Sequence, residues 1–132
     1  MITDRIKEFI ESQDYALVAS ADQEGKPHLA AGRGLKVVDS AHLAIEAWFC
    51  HRTLKNVLRN PRVAVGIINR KTGAGYQLTG VVERSVDAAI LDGYAPGMEK
   101  PGTPQVMERF LVKVDAVLEF SPESHTDRSL TD

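Results

Sequence analysis

The chain has 132 residues, with 16 Lys+Arg against 18 Asp+Glu, and 43% of it is hydrophobic. That length and apolar content suit one globular domain with its own core, and the near balance of charge excludes a general nucleic-acid binder, which needs a strong basic excess. A single cysteine excludes an internal disulfide and a paired-cysteine metal knuckle, so a reducing, cytoplasmic setting is expected. No apolar run reaches the roughly 20 residues of a membrane-spanning helix, and the N-terminus lacks the layout of a signal peptide.

Ile6, Phe9 and Ile10 share one face of a helix predicted over residues 3–12, with Thr3 as its N-cap. Residues 15–21 are short, apolar and partly β-branched, a buried strand. The polar run 22–27 carries Gly25 where a left-handed residue is needed, which is hairpin-loop chemistry. It leads into a return strand in two pieces, 28–33 and 35–38, interrupted by Gly32 and Gly34. Glycine inside a strand marks a bulge or the close approach of a ligand to the backbone. A third strand is predicted over 42–49. A short helix over 53–59 then turns Leu54, Val57 and Leu58 inward and stops at Asn60-Pro61.

Residues 62–69 and 76–85 read as an antiparallel pair joined by a loop containing Gly73 and Gly75. Residues 86–92 read as a short helix and 95–104 as a long Pro- and Gly-rich loop. Over 110–121 the pattern alternates, with Phe110, Val112, Val114, Ala116, Leu118 and Phe120 on one face. One domain is expected over residues 1–121, followed by a loose polar tail over 122–132. About six hairpin-joined strands with peripheral helices predict a mainly β chain, a small closed or split barrel.

All 18 acidic residues lie outside the stretch 47–82, which holds Arg52, Lys55, Arg59, Arg62, Arg70 and Lys71. Such a local field holds an anion without making the whole surface adhesive to polyanions. Within it, Cys50-His51-Arg52-Thr53-Leu54-Lys55-Asn56 sits where a strand hands over to a helix. A helix start offers free backbone N–H groups and partial positive charge. Arg52 would add a two-pronged contact to a phosphate, Thr53 a hydroxyl and Lys55 a point charge. The same residues also suit a plain helix start in which Thr53 caps and the cations are solvated. Arg33 and Lys36 would reach the same anion if their strand borders the next one. Trp48, Phe49 and Tyr76 offer apolar walls, and each is also an ordinary core residue. A Cys50–His51 catalytic pair is disfavoured because adjacent strand residues face opposite ways, and His28, His42, His51 and His125 show no metal spacing.

The order Gly25-Lys26-Pro27-His28, then His51-Arg52-Thr53 with Lys55-Asn56, then Asn60-Pro61-Arg62-Val63-Ala64 resembles the pyridoxamine 5'-phosphate oxidase-like FMN-binding split barrels. The likeness is greatest to the short bacterial FMN-binding proteins and spans about residues 9–120. It implies a six-stranded antiparallel split barrel that forms a homodimer with FMN at the interface. It implies phosphate contacts from the segment of Arg33 and Lys36 and from the junction of His51, Arg52, Thr53 and Lys55. It further implies a flavin lying along the segment of Ala47 and Trp48, and a cofactor contact near Gln77. The implied activity is an FMN-dependent oxidoreductase passing hydride or electrons from a small-molecule donor or substrate, with no nucleic-acid or membrane partner. A non-enzymatic flavin electron carrier and a deazaflavin-binding relative are the alternatives. The chain departs from the oxidases at Gly32-Arg33-Gly34, where they have an unbroken strand, and at Thr53, where lysine is usual. Pyridoxamine phosphate oxidation itself is therefore not expected.

Overall fold

Among the residues that the computed structural model describes (1–83, 108–124 and 126–130), two helices and six strands follow one another. They run as α1 (Asp4–Glu11), β1 (Tyr15–Ala21), β2 (Pro27–Asp39), β3 (His42–Trp48), α2 (His51–Arg59), β4 (Arg62–Ile68), β5 (Gly75–Glu83) and β6 (Glu108–Phe120). Neighbouring strands are all antiparallel, and the order β1-β2-β3-β6-β5-β4 closes on itself through β1 and β4. The expected six-stranded antiparallel barrel is what forms. The helix predicted over 86–92 and the loop over 95–104 lie outside the described residues.

Local sequence dictates much of this. Thr3 caps α1 by accepting the Ile6 amide at 3.3 Å, and Ile6 and Ile10 turn into the core. The Glu11 carboxylate accepts the Val37 amide at 2.9 Å, which ties α1 to β2. In β1 and β4 every second residue is buried: Ala16, Val18 and Ser20 in one, Val63, Val65 and Ile67 in the other. With Leu43, Ile45, Trp48, Leu78, Phe110, Val112 and Val117 they fill the barrel.

Four features differ from the sequence expectations. First, β2 is one unbroken strand of 13 residues, and both glycines lie inside it. Gly34 adopts φ 75°, the left-handed region that favours glycine. A Cβ on Gly32 would collide with the Trp48 indole and lie 2.7 Å from Ile45 Cγ2, so that glycine makes room for the core rather than for a ligand. Second, β3 stops at Trp48 and α2 begins at His51, with Cys50 rather than Thr53 as the N-cap. The Trp48 Nε1–H donates to the Cys50 carbonyl at 3.0 Å and draws the chain into the helix.

Third, the alternation of β6 does not persist. Thr79 pairs with Ala116 but Gly80 pairs with Val114, which leaves Asp115 as an extra residue. Beyond that bulge Val117 is buried, and Phe120 is 37% exposed. Fourth, the C-terminal tail is not loose. β3 covers β6 only as far as Lys113, so among the described residues no other named strand covers the rest of that edge. Residues 126–130 fold back onto it: the Leu130 amide donates to the Val117 carbonyl at 2.8 Å, the Glu119 amide to the Arg128 carbonyl at 2.9 Å, and Ser129 bridges to Leu118.

Where the turn after β2 enters β3, His42 Nδ1 lies 2.8 Å from Asp39 Oδ1 and Nε2 lies 3.3 Å from Glu83 Oε1. The Asp39 hydrogen bond above all raises the His42 pKa; burial opposes it, and the Glu83 hydrogen bond adds to the rise. Imidazolium is therefore the form favoured by folding. Its contribution is complete below the unfolded value near about 6.5 and is lost as pH rises through the higher folded value. Asp39 behaves oppositely: the Ala41 amide and then His42 lower its pKa, so its contribution is lost as pH falls through the depressed value.

Two outcomes are expected. The melting temperature of the wild type should exceed that of His42→Gln most at about pH 6, and the gap should narrow as pH rises towards about 8. Gly32→Ala should lose about 1–3 kcal/mol of stability in denaturant titrations through overpacking against Trp48. Gly66→Ala, with nothing within 4 Å of the added carbon, should lose none.

Candidate functional site

The segment from Phe49 to Arg52, where the chain leaves β3 and enters α2, separates two clefts. One, of about 490 Å³, lies on the outer face of β1, β2 and β3 and is lined by Tyr15, Ala31, Gly32, Arg33, Ala47 and Phe49. Strand register puts Arg33 between Tyr15 and Ala47, and Phe49 is 41% exposed. The other, of about 710 Å³, opens between the β1–β2 hairpin and α2. Its walls carry Lys26, Arg52, Lys55 and Arg59, faced by Asp22 and Glu24. The Asp22 carboxylate is engaged in its own turn, accepting the amides of Glu24 at 2.9 Å and Lys26 at 2.8 Å.

The cations divide into two groups. Arg62 faces Asp115 at 3.9 Å, Arg70 faces Asp14 at 3.6 Å, and Arg109 binds Glu46 at 3.1 Å. Lys26, Arg33, Lys36, Arg52, Lys55 and Arg59 have no ion-pair partner among the described residues. Strand order thus removes Arg62 and Arg70 from the positive window read in the sequence, and leaves unneutralised charge on both sides of Phe49–Arg52.

The residues expected at the site are only partly brought together. Arg33 and Ala47 line the outer cleft, whereas Arg52 and Lys55 line the groove beside α2. Trp48 has no exposed surface; it stacks on Phe110 with ring centroids 4.8 Å apart, so its ring forms no wall of either cleft. Tyr76 is half-buried against Phe9 in an edge-on contact at 5.1 Å. Thr53 lies inside the first turn of α2, fully buried, and its hydroxyl has no hydrogen-bond partner among the described residues. His51 opens α2 and is exposed, and Lys36 is exposed on β2 opposite Ala44; neither lines either of these two clefts. Gln77 lies on β5 beside the buried Leu78, hence on the outer face. By either route round the barrel β5 is three strands from β2, so Gln77 and Arg33 occupy opposite walls.

One pairing has no signature in the sequence. His28 Nε2 lies 3.3 Å from Cys50 Sγ, although 22 residues separate them. Burial alone would raise the thiol's pKa, but the Thr53 amide and hydroxyl, the His28 imidazole and the Arg52 amide outweigh it and bring the thiol down to about 7. His51, the sequence neighbour, is not the partner. The only signal available was that His28 and Cys50 stand near the ends of strands that pair.

The sequence model of the family described as pyridoxamine 5'-phosphate oxidase matches residues 2–123. The uncharacterized protein MJ0282 of Methanocaldococcus jannaschii is 34% identical over 84 residues, which is 62% of this chain; the alignment spans 55% of that protein's length. Among solved structures, tagged HupZ of Group A Streptococcus superposes with a TM-score of 0.65 at 22% identity, covering 97% of this chain and 99% of that one. An FMN-binding protein of Syntrophomonas wolfei subsp. wolfei gives 0.63 at 12% identity, covering 90% and 88%. These two structures share the fold.

Because the groove cations neutralise nothing in the folded chain, Lys55→Gln and Arg59→Gln should each change stability by less than about 0.5 kcal/mol. Asp22→Ala, which frees two amides, should cost about 1 kcal/mol. Thermal melts of the three variants would check the contrast.

Proposed function

Since the chain belongs to the pyridoxamine 5'-phosphate oxidase family, we propose that it binds FMN and acts as a flavin-dependent oxidoreductase on a small-molecule donor or substrate. The observation that carries this reading is the outer cleft, with Tyr15, Ala31, Gly32, Ala47 and Phe49 as a mostly apolar wall and the unpaired Arg33 at its side. Its volume of about 490 Å³ is within the range of small-ligand sites. The residues present fit the group: apolar surface suits the ring, Arg33 suits the phosphate, and Arg52 with the orphaned Thr53 hydroxyl stands at the far side of Phe49. Lys36 and Lys55 add positive charge on β2 and α2, His51 offers its ring nitrogens at the start of α2, and Ala47 lends backbone next to Arg33.

FMN, when bound, supplies reversible hydride or electron transfer. The chain's own residues place it and bias its charge. Of the described residues in the outer cleft, Tyr15 and Arg33 carry the polar side chains. We read the functional unit as a homodimer, because Gln77 reaches an FMN at Arg33 only from another copy.

Purified protein incubated with FMN should turn yellow and retain the flavin through desalting. Arg33→Ala and Arg52→Ala should each weaken binding by about 1.5–3 kcal/mol, the scale of a charge-assisted hydrogen bond, in calorimetric titrations. Failure to retain FMN, with retention of a deazaflavin cofactor instead, would replace the cofactor assignment. With FMN bound, absence of turnover with nicotinamide donors would leave an electron carrier.

A further inference from the structure

We propose that Cys50 is a covalent modification site: a nucleophilic sulfur, held by His28 and Thr53, that forms mixed disulfides with small carboxylate-bearing disulfides gathered by the neighbouring cationic groove. This inference does not depend on flavin binding. Three observations converge on it. His28 Nε2 stands 3.3 Å from the sulfur. The Thr53 hydroxyl is fully buried and without a partner in hydrogen-bond geometry among the described residues, and its interaction with Cys50 favours the thiolate. A buried hydroxyl left unsatisfied is costly, and a thiolate relieves that cost where a thiol does not. Finally, His28, which touches the Cys50 sulfur, and Arg52, two residues along the chain, both line the groove that carries Lys55 and Arg59, so an anion held there would approach the sulfur from their side.

Cys50 is half-buried, so a small disulfide reaches it while bulky reagents are hindered. At pH 7 roughly half of a thiol with this ionisation is thiolate, against a few per cent of an unperturbed one. The thiolate attacks one sulfur of R–S–S–R. A new S–S bond to Cys50 forms, the original S–S bond breaks, and RS⁻ leaves with the bonding pair and takes a proton from solvent. The disulfide is the only oxidant required, and a second small thiol reverses the step.

The test compares two disulfides on the full chain at low ionic strength and pH 7: the dianionic 5,5'-dithiobis(2-nitrobenzoate) and the neutral 4,4'-dithiodipyridine. Each rate is normalised to that of N-acetylcysteine. The normalised rate for the dianion should exceed that for the neutral reagent by about tenfold or more and lose this advantage in about 0.5 M salt. Mass spectrometry should place one adduct on Cys50. Lys55→Gln combined with Arg59→Gln should abolish the preference for the dianion, while His28→Asn or Thr53→Val should slow both reagents at least about threefold. A normalised ratio near one, or a Cys50 slower than N-acetylcysteine with both reagents, would overturn the proposal, and that wild-type comparison requires no variant to fold.

Discussion

The Trp48 indole fixes where β3 ends and where α2 begins, and the candidate site hangs from that junction. Its ring is sealed inside the barrel, stacked on Phe110 of β6 and pressed over Gly32 of β2, so three neighbouring strands are locked to one side chain. A buried indole N–H requires an acceptor, and the one it finds is the Cys50 carbonyl at 3.0 Å. That carbonyl also receives the Leu54 amide at 3.4 Å, the first turn of α2. The helix start is thus set by a tertiary contact rather than by a capping side chain. Thr53 is carried inward as a result, its hydroxyl stripped of water, while Arg52 remains at the edge of the α2 groove.

Electrostatics follow from the same placement. A positive window of sequence becomes two populations once the strands are arranged. Arg62 and Arg70 meet carboxylates presented by β6 and by the α1–β1 turn, and exposed pairs of this kind stabilise the fold little. The cations on β2, α2 and the β1–β2 hairpin meet none among the described residues. A bound anion would find these cations free of ion pairs. The groove and the outer cleft share that surplus charge because Phe49–Arg52 forms the wall between them.

What could be read in advance depended on how local the controlling interaction is. Helix α1 and strands β1 and β4 declare themselves because burial alternates with the period of their own residues, as Ile6 with Ile10 and Val63 with Val65 show. The charge window, too, is a property of contiguous sequence. The role of Gly32 is not, since its reason is Trp48, sixteen residues away on another strand. The β6 bulge at Asp115 is set opposite Gly80, where a side chain would meet the Lys113 carbonyl, so the pattern of β6 alone could not reveal it. Docking of the tail answers an edge that β3 leaves bare, and the His28–Cys50 contact exists only because β2 runs beside the strand leading into α2. Each is a relation between segments, invisible to periodicity.

The barrel's closure also limits what one chain can offer a flat ligand. Among the described residues the outer cleft has a floor of β1, β2 and β3 but no opposing wall, and Leu29, on the same face of β2 as Arg33, is 62% exposed. Gln77 faces outward on the far side of a closed cylinder, a side that β2 cannot reach without opening the barrel. A ring held on both faces, with contacts from both β2 and β5, therefore requires two barrels side by side.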